Sequence, residues 1–512
     1  MATTNKPSEL RFVVKTGLGA FNPEDRKLIR SHVMKGRNLG KERPLGSRRR
    51  SRCADVSQQI LPSPSSSNSS SSDRGCDGSF SPQSSSVATT PSSEHSPVNH
   101  TLATAPRKFG SVASTICLAD SVRPATINVV LQFSSIAKQL LFPMETCIFF
   151  ERRAENWIAP LAVDPAFLHA KIFTSLYYFD VILSRTSSGP TQRILHHHHK
   201  ALSLLRERLL SGDDDARLSN NTVSIVLGLA GQAFWTGDVR SAINHMEGIR
   251  RIVHLRGGLR TFSGNEKLSV EILRCDLGIA VHNGSKPLFF DGTSLSEPIL
   301  PHLDLTLFLD KRNPSFATNS SWRADSATLT SDIGIDDDLA LAWRAMSDFC
   351  SVINFAADSE QRITVGTFLE TMTAIMYRLL HMHFEASSRD ETIRLGLLCF
   401  SCSVFLHWQH LGMSYVHLAS MFRGCLTRLT STSSHLPPQL ILWLLMAGAV
   451  SVFDESDDAW FNPMLRGTMS MCDVGSWGEM RELLMSFMWI GLVHDKRGKR
   501  MFDSCYNSHP SH

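Results

Sequence analysis

The amino-acid sequence predicts an all-α protein, and three features lead to that class. Beyond about residue 125, apolar residues recur at helical spacing almost to the end, helix start and stop signals bracket the runs, and strand signals are few. The clearest helix begins at Asp238, a side chain suited to capping. It carries Ala242, Met246, Ile249 and Val253 on one face and stops at Gly257-Gly258. A second spans Thr392 to Gln409, with Leu395, Leu398, Cys399, Cys402, Phe405 and Leu406 on a single stripe. A third follows Pro437-Pro438 and is apolar nearly all round from Leu440 to Phe453, which predicts a position at the centre of the packing. That run is only about two-thirds of the length a bilayer requires, so no membrane span is expected. A polar interruption from about Asn313 to Asp338 is expected to divide the body into two packed halves, the second starting with a helix near Leu339.

The N-terminal quarter reads differently. Asn22-Pro23-Glu24-Asp25 supplies a cap, a proline for the first helical position and acids for the positive helix end, predicting a short helix to about Met34. A basic run follows, broken by Gly40, Pro44 and Gly46. Residues 1–52 hold fourteen Lys and Arg against four Asp and Glu, a net of +10. The whole chain carries +4, so everything beyond Arg52 carries −6. The positive field is therefore confined to the arm, and the body is expected to repel nucleic acid. From Cys53 the chain turns to Ser, Pro, Thr and Asn, with eight serines among residues 63–72. Such a stretch buries too little apolar surface to offset its ordering entropy. The organisation that follows is a basic arm (1–52), a disordered Ser-rich linker (53–125) and a helical body (126–512).

Eleven cysteines, an odd number without a framework, are preceded by no apolar leader in Met1 to Leu18. A reducing compartment and free thiols are expected. Cys399 and Cys402 have the spacing of half a zinc site, yet both sit on an apolar stripe and read as core cysteines. In the run His196 to His199 only the first and last rings fall close enough on a helix to share a ligand, and the run reads as a solvated polar patch. Gly17-Leu18-Gly19 starts like a phosphate loop, but Asn22 stands where the third glycine belongs and a turn is the simpler account. Asp454, Glu455, Asp457 and Asp458 lack calcium-loop spacing and read as a solvated loop anchored by Trp460. Arg250, Arg251 and Arg256 read as a surface row, the first two beside Glu247 at spacings of three and four. Neither a catalytic residue, a metal site nor a cofactor site is expected. The one candidate site is Arg48, Arg49, Arg50 and Arg52, a cluster suited to an import receptor's acidic groove.

The run His245-Met246-Glu247-Gly248-Ile249-Arg250-Arg251-Ile252-Val253, leading into Leu255-Arg256-Gly257-Gly258-Leu259, together with Lys200-Ala201-Leu202 and Glu271-Ile272-Leu273-Arg274-Cys275-Asp276, makes residues 199–290 resemble the regulatory domain of fungal-specific transcription factors. The C-terminal third is similar to that family in Arg394-Leu395-Gly396-Leu397, Leu442-Trp443-Leu444-Leu445, Asp457-Asp458-Ala459-Trp460 and Trp477-Gly478-Glu479-Met480-Arg481. The segment Ile29-Arg30-Ser31-His32-Val33-Met34 also resembles the basic leader of fungal proteins of this kind. The resemblance covers most of Leu141 to Phe502. It implies a nuclear, non-enzymatic regulator whose partners are other regulatory proteins, an import receptor and a small-molecule effector. The family's DNA reader is a six-cysteine cluster with two zinc ions, whereas this chain has only Cys53, Cys76 and Cys117 ahead of the body. DNA is then contacted weakly or indirectly. The alternative from another class is a small-molecule-binding protein or enzyme that uses an interhelical pocket.

Overall fold

A computed structural model describes residues 118–141, 143–150, 156, 158–183, 190–292, 298–305, 334–359, 361–408, 413–431 and 436–507. The basic arm with Arg48, Arg49, Arg50 and Arg52, the expected helix over 22–34, the Gly17-Leu18-Gly19 turn, the linker up to residue 117 and most of the polar interruption lie outside the described residues. Helix accounts for 77% of the interpretable positions, so the protein is all-α.

The longer helices of the first half are α1 (Pro124–Leu141), α2 (Pro165–Tyr177, continued by a π-helical turn Tyr178–Leu183), α3 (Gln192–Leu210), α4 (Asn220–Trp235), α5 (Val239–Arg256) and α6 (Glu266–Asn283). The second half contains α7 (Asp337–Ser359), α8 (Val365–His381), α9 (Arg389–Ser401, continued by a π-helical turn Cys402–Leu406), α10 (Val416–Ser431), α11 (Pro438–Ser451), α12 (Asp458–Met471), α13 (Trp477–Phe487) and α14 (Gly491–Asn507). Two dipeptides, β1 (Ile148–Phe149) and β2 (Ile363–Thr364), pair in parallel.

Local chemistry explains the helix ends. Asp238 Oδ1 accepts from the Ser241 amide at 3.1 Å and opens α5. Gly257 closes it at φ 93°, a conformation that a residue with a Cβ adopts only at a cost. Ser476 and Glu479 form a reciprocal capping box at the start of α13. Asp164 caps α2 by accepting from the Phe167 amide at 3.0 Å, and Arg208 at 2.6 Å and Asn221 at 3.0 Å bind the same carboxylate. One cap thus ties α2 to α3 and α4.

Helices α1, α3 and α4 surround α2, the one described segment that is long and apolar enough to cross a membrane by length and composition; most of it is buried within this group. Helix α6 touches α4 and α5 on one side and α8 and α10 on the other. Residues before and after the polar interruption consequently share one continuous core, from Ile127 to Cys505. Within the second half α11 is the hub, packed by α9, α12, α13 and α14, and eleven of its fourteen residues are buried. Trp443 lies fully inside and its indole N–H donates to the Met488 carbonyl at 2.8 Å.

One helix reading changes in detail. The helix expected over 392–409 ends at Ser401, widens into the π-helical turn and stops at His407, whose φ is 52°. Its apolar stripe widens into burial on every face, with all of Glu391–Ser401 inside. Neighbours α7, α8, α10 and α11 enclose it, an arrangement that one helix's periodicity does not encode.

Candidate functional site

Helix α6 carries polar chemistry into the centre of the body, and thirteen of its eighteen residues are buried. Three consecutive ones, Arg274, Cys275 and Asp276, are at most 4% exposed. Asp276 accepts hydrogen bonds from the backbone N–H of Leu288 at 2.8 Å and of Phe289 at 3.1 Å, and from the Tyr377 hydroxyl at 2.8 Å. Burial outweighs these donors and pushes its carboxyl up to about 6. The carboxylate shapes the turn after α6, in which Phe290 adopts φ 53° and sets its ring edge-on to Tyr377 at 4.7 Å.

On the other side of α6 the Arg274 guanidinium donates to the Leu406 carbonyl, where the π-helical turn ends. Burial lowers its pKa to about 10, which leaves it charged at neutral pH. Tyr415, 1% exposed, points its hydroxyl into the same region without a hydrogen-bond partner among the described residues. Trp408 closes the junction against Gly278 and Phe234, and the His282 Nδ1–H donates to the Ser414 carbonyl at 3.0 Å. A buried cation, an unsatisfied phenol, a π-helical turn and a left-handed His407 therefore converge. Such irregularities gather at functional sites more often than elsewhere. A guanidinium and a hydroxyl are hydrogen-bond donors, and the Tyr415 hydroxyl suits a carboxylate or a water rather than a metal.

A second polar junction lies at the entry to the body. Asp120 Oδ2 accepts from His169 Nε2 at 3.1 Å and from the Lys200 ammonium, while the Ser121 amide binds Oδ1 at 2.6 Å. These contacts hold the Asp120 carboxyl well below its usual range, Lys200 contributing most. Behind it, His169 Nδ1 and His197 Nδ1 stand 2.7 Å apart. The Ala119 amide adds a bond to the Leu161 carbonyl at 3.1 Å, so residues at the linker's end already grip the body.

The residues singled out by sequence separate clearly. Cys399 and Cys402 are core cysteines at 0% and 1% exposure, and burial pushes both thiols far above the ordinary range, which keeps them inert. The histidine run is corrected in part. His196 and His199 are exposed, but His197 is buried against His169 and His198 stacks on Phe173 at 4.5 Å, because α3 turns that side onto α2. Arg250 pairs with Glu247 at 3.1 Å, as the spacing implies. Arg256 departs from the surface row: it donates to the Leu218 carbonyl and to Asn220 and lies over Phe262 at 3.9 Å. Asp454 and Asp457 form a capping box in an exposed turn, and Trp460 packs edge-on against Phe453 at 5.6 Å. Among the described residues no group of three His, Cys, Asp or Glu is placed to hold a metal ion.

Sequence reading gave no site role to Arg274, Asp276, Glu391, Arg394 and His494, all buried. Their signal is charge at positions that helical periodicity assigns to the interior, as in Ile272-Leu273-Arg274-Cys275-Asp276-Leu277. Comparison with protein-family models, with curated proteins and with solved structures found no match for this chain.

Proposed function

We propose that this chain is a nuclear regulatory protein that acts through its helical body as a receiver of a protein or small-molecule signal, with no zinc-cluster reader and no chemistry of its own. What supports the reading is the way the segments that resemble fungal regulators fall together. Arg394-Leu395-Gly396-Leu397 on α9 crosses Leu442-Trp443-Leu444-Leu445 on α11 so closely that a Cβ on Gly396 would stand 2.2 Å from Leu444 Cδ2. Arg481 of the α13 motif pairs with Asp495 of α14 at 2.9 Å. Glu271 to Asp276 lie on α6, which the α5 motif flanks. Residues scattered over 250 positions thus build one scaffold in which side chains with chemical potential, Asp276 and Arg394 among them, hold backbone in place.

Proximity labelling with the full chain in its native cell tests the proposal. Chromatin and transcription proteins among the labelled set support it, and a set of metabolic enzymes refutes it. In the same cells, a fluorescent fusion with Arg48, Arg49, Arg50 and Arg52 all changed to Ala is expected to shift to the cytoplasm. Unchanged nuclear accumulation, or a wild type that never enters the nucleus, refutes the import role of that cluster.

One observation favours a second reading, a body that binds a small carboxylate at the α6 junction: the Tyr415 hydroxyl beside the buried Arg274. A carboxylate metabolite that raises the melting temperature of wild type, but not of Tyr415→Phe, supports this effector role.

A further inference from the structure

Residues 118–123 cross the body as a strap, with Leu118, Ala119 and Val122 half-buried against the core and Asp120 held by α2 and α3. Behind Asp120 the two imidazoles stack at 5.0 Å between centroids and 28° between planes, and their Nδ1 atoms approach to 2.7 Å. An N···N separation of that size holds one hydrogen. The carboxylate is an acceptor, so His169 Nε2 carries a hydrogen toward it. In its neutral form His169 therefore has a lone pair at Nδ1, and the shared hydrogen belongs to His197 Nδ1. The neutral pair thus carries two ring hydrogens. A third adds at His197 Nε2, which has some contact with solvent, and breaks no bond. A fourth must go to His169 Nδ1, and two N–H groups would then face each other across the contact.

We propose that the strap is a proton-counting latch, fastened while the His169–His197 pair holds two or three ring hydrogens and released when a fourth forces the rings apart and moves His169 off Asp120. The charged and titratable groups around the pair fit this order. Asp120 on the strap attracts a proton to His169, while His196, Arg193 and Lys200 on α3 oppose protonation. Helix α4 contributes no ionisable side chain, Lys171 of α2 turns away to lie over the Phe167 ring at 5.0 Å, and Asp180 lies eleven residues beyond His169. Burial is the largest influence on both rings and lowers His197 to about 4, so the latch is closed throughout the neutral range and opens in acid.

Two measurements on the full chain test this. At neutral pH, nitrogen NMR of histidine-labelled protein is expected to show scalar coupling across one N–H···N hydrogen bond between two imidazoles, with one partner a neutral Nδ1–H tautomer. Absence of that coupling, or an Nε2–H tautomer for both rings, overturns the proposal. Hydrogen exchange at the Ala119 amide, corrected for intrinsic rates, is expected to be flat from pH 7.5 to 5. Below pH 4 it should rise at least tenfold while the Leu398 amide in the core stays protected. In His197→Phe, protonated His169 keeps its Nε2–H on Asp120 and the rise should vanish. The same acid rise in both proteins overturns the latch.

Discussion

Arg394 offers the sharpest test of how the core is held. Its guanidinium donates Nε–H to Glu391 Oε2 at 2.7 Å, Nη2–H to Glu391 Oε1 at 2.6 Å and Nη1–H to the Leu379 carbonyl at 2.7 Å, and both side chains are under 10% exposed. Replacing Arg394 with Met keeps most of the volume and removes all three donors. A buried carboxylate is left with neither countercharge nor hydrogen bond, and the α8 carbonyl loses its cap. Breaking such a pair from one side costs about 3–5 kcal/mol, most of it the penalty on the stranded charge. Changing Glu391 to Gln in the same chain neutralises that charge. The double variant is therefore expected to be more stable than Arg394→Met alone by roughly 2 kcal/mol. Urea unfolding followed by tryptophan fluorescence reads this cleanly, because all nine tryptophans lie between Trp157 and Trp489. A loss of under about 1 kcal/mol for Arg394→Met, or a double variant weaker than the single, refutes the account of this pair.

Three further outcomes follow from the same core. His494 accepts from the Ile490 amide and donates to Ser403 Oγ, and burial lowers its pKa to about 3. A depressed histidine contributes stability above its unfolded value near 6.5, and this is lost as pH falls toward 3, about 3 kcal/mol of it by pH 4.5. Asp276, raised to about 6, has the opposite sign and gains stability over part of that window, so the comparison must be with His494→Gln, whose pH profile is expected to be flatter than wild type; parallel profiles would dismiss the assignment. Gly396→Val forces its Cβ into Leu444 and Phe422 and should lower stability by roughly 2 kcal/mol or more, measurable as a drop in melting temperature. Elemental analysis of the purified chain should find no stoichiometric zinc, and melting induced by a chelator would make Cys399 and Cys402 ligands after all.

Several helix starts and stops were legible in the sequence, because they depend on neighbours a turn away, although the end of α9 was not. Asp238, Gly257 and the Pro438 start of α11 are local signals, and the structure places helix boundaries at each of them. Tertiary structure alone decided which charged residues go inside. Arg394 follows Glu391 at the spacing of any surface ion pair, just as Arg250 follows Glu247, yet the first pair is buried and the second half-exposed. The difference lies in what packs over each helix: α9 is enclosed by four others, whereas α5 keeps one side in water. The polar junctions at Arg274 and at Asp120 were hidden for the same reason. Leu406 is 132 residues from Arg274 and Lys200 is 80 from Asp120, and a hydrogen bond over that separation exists only after the helices have packed.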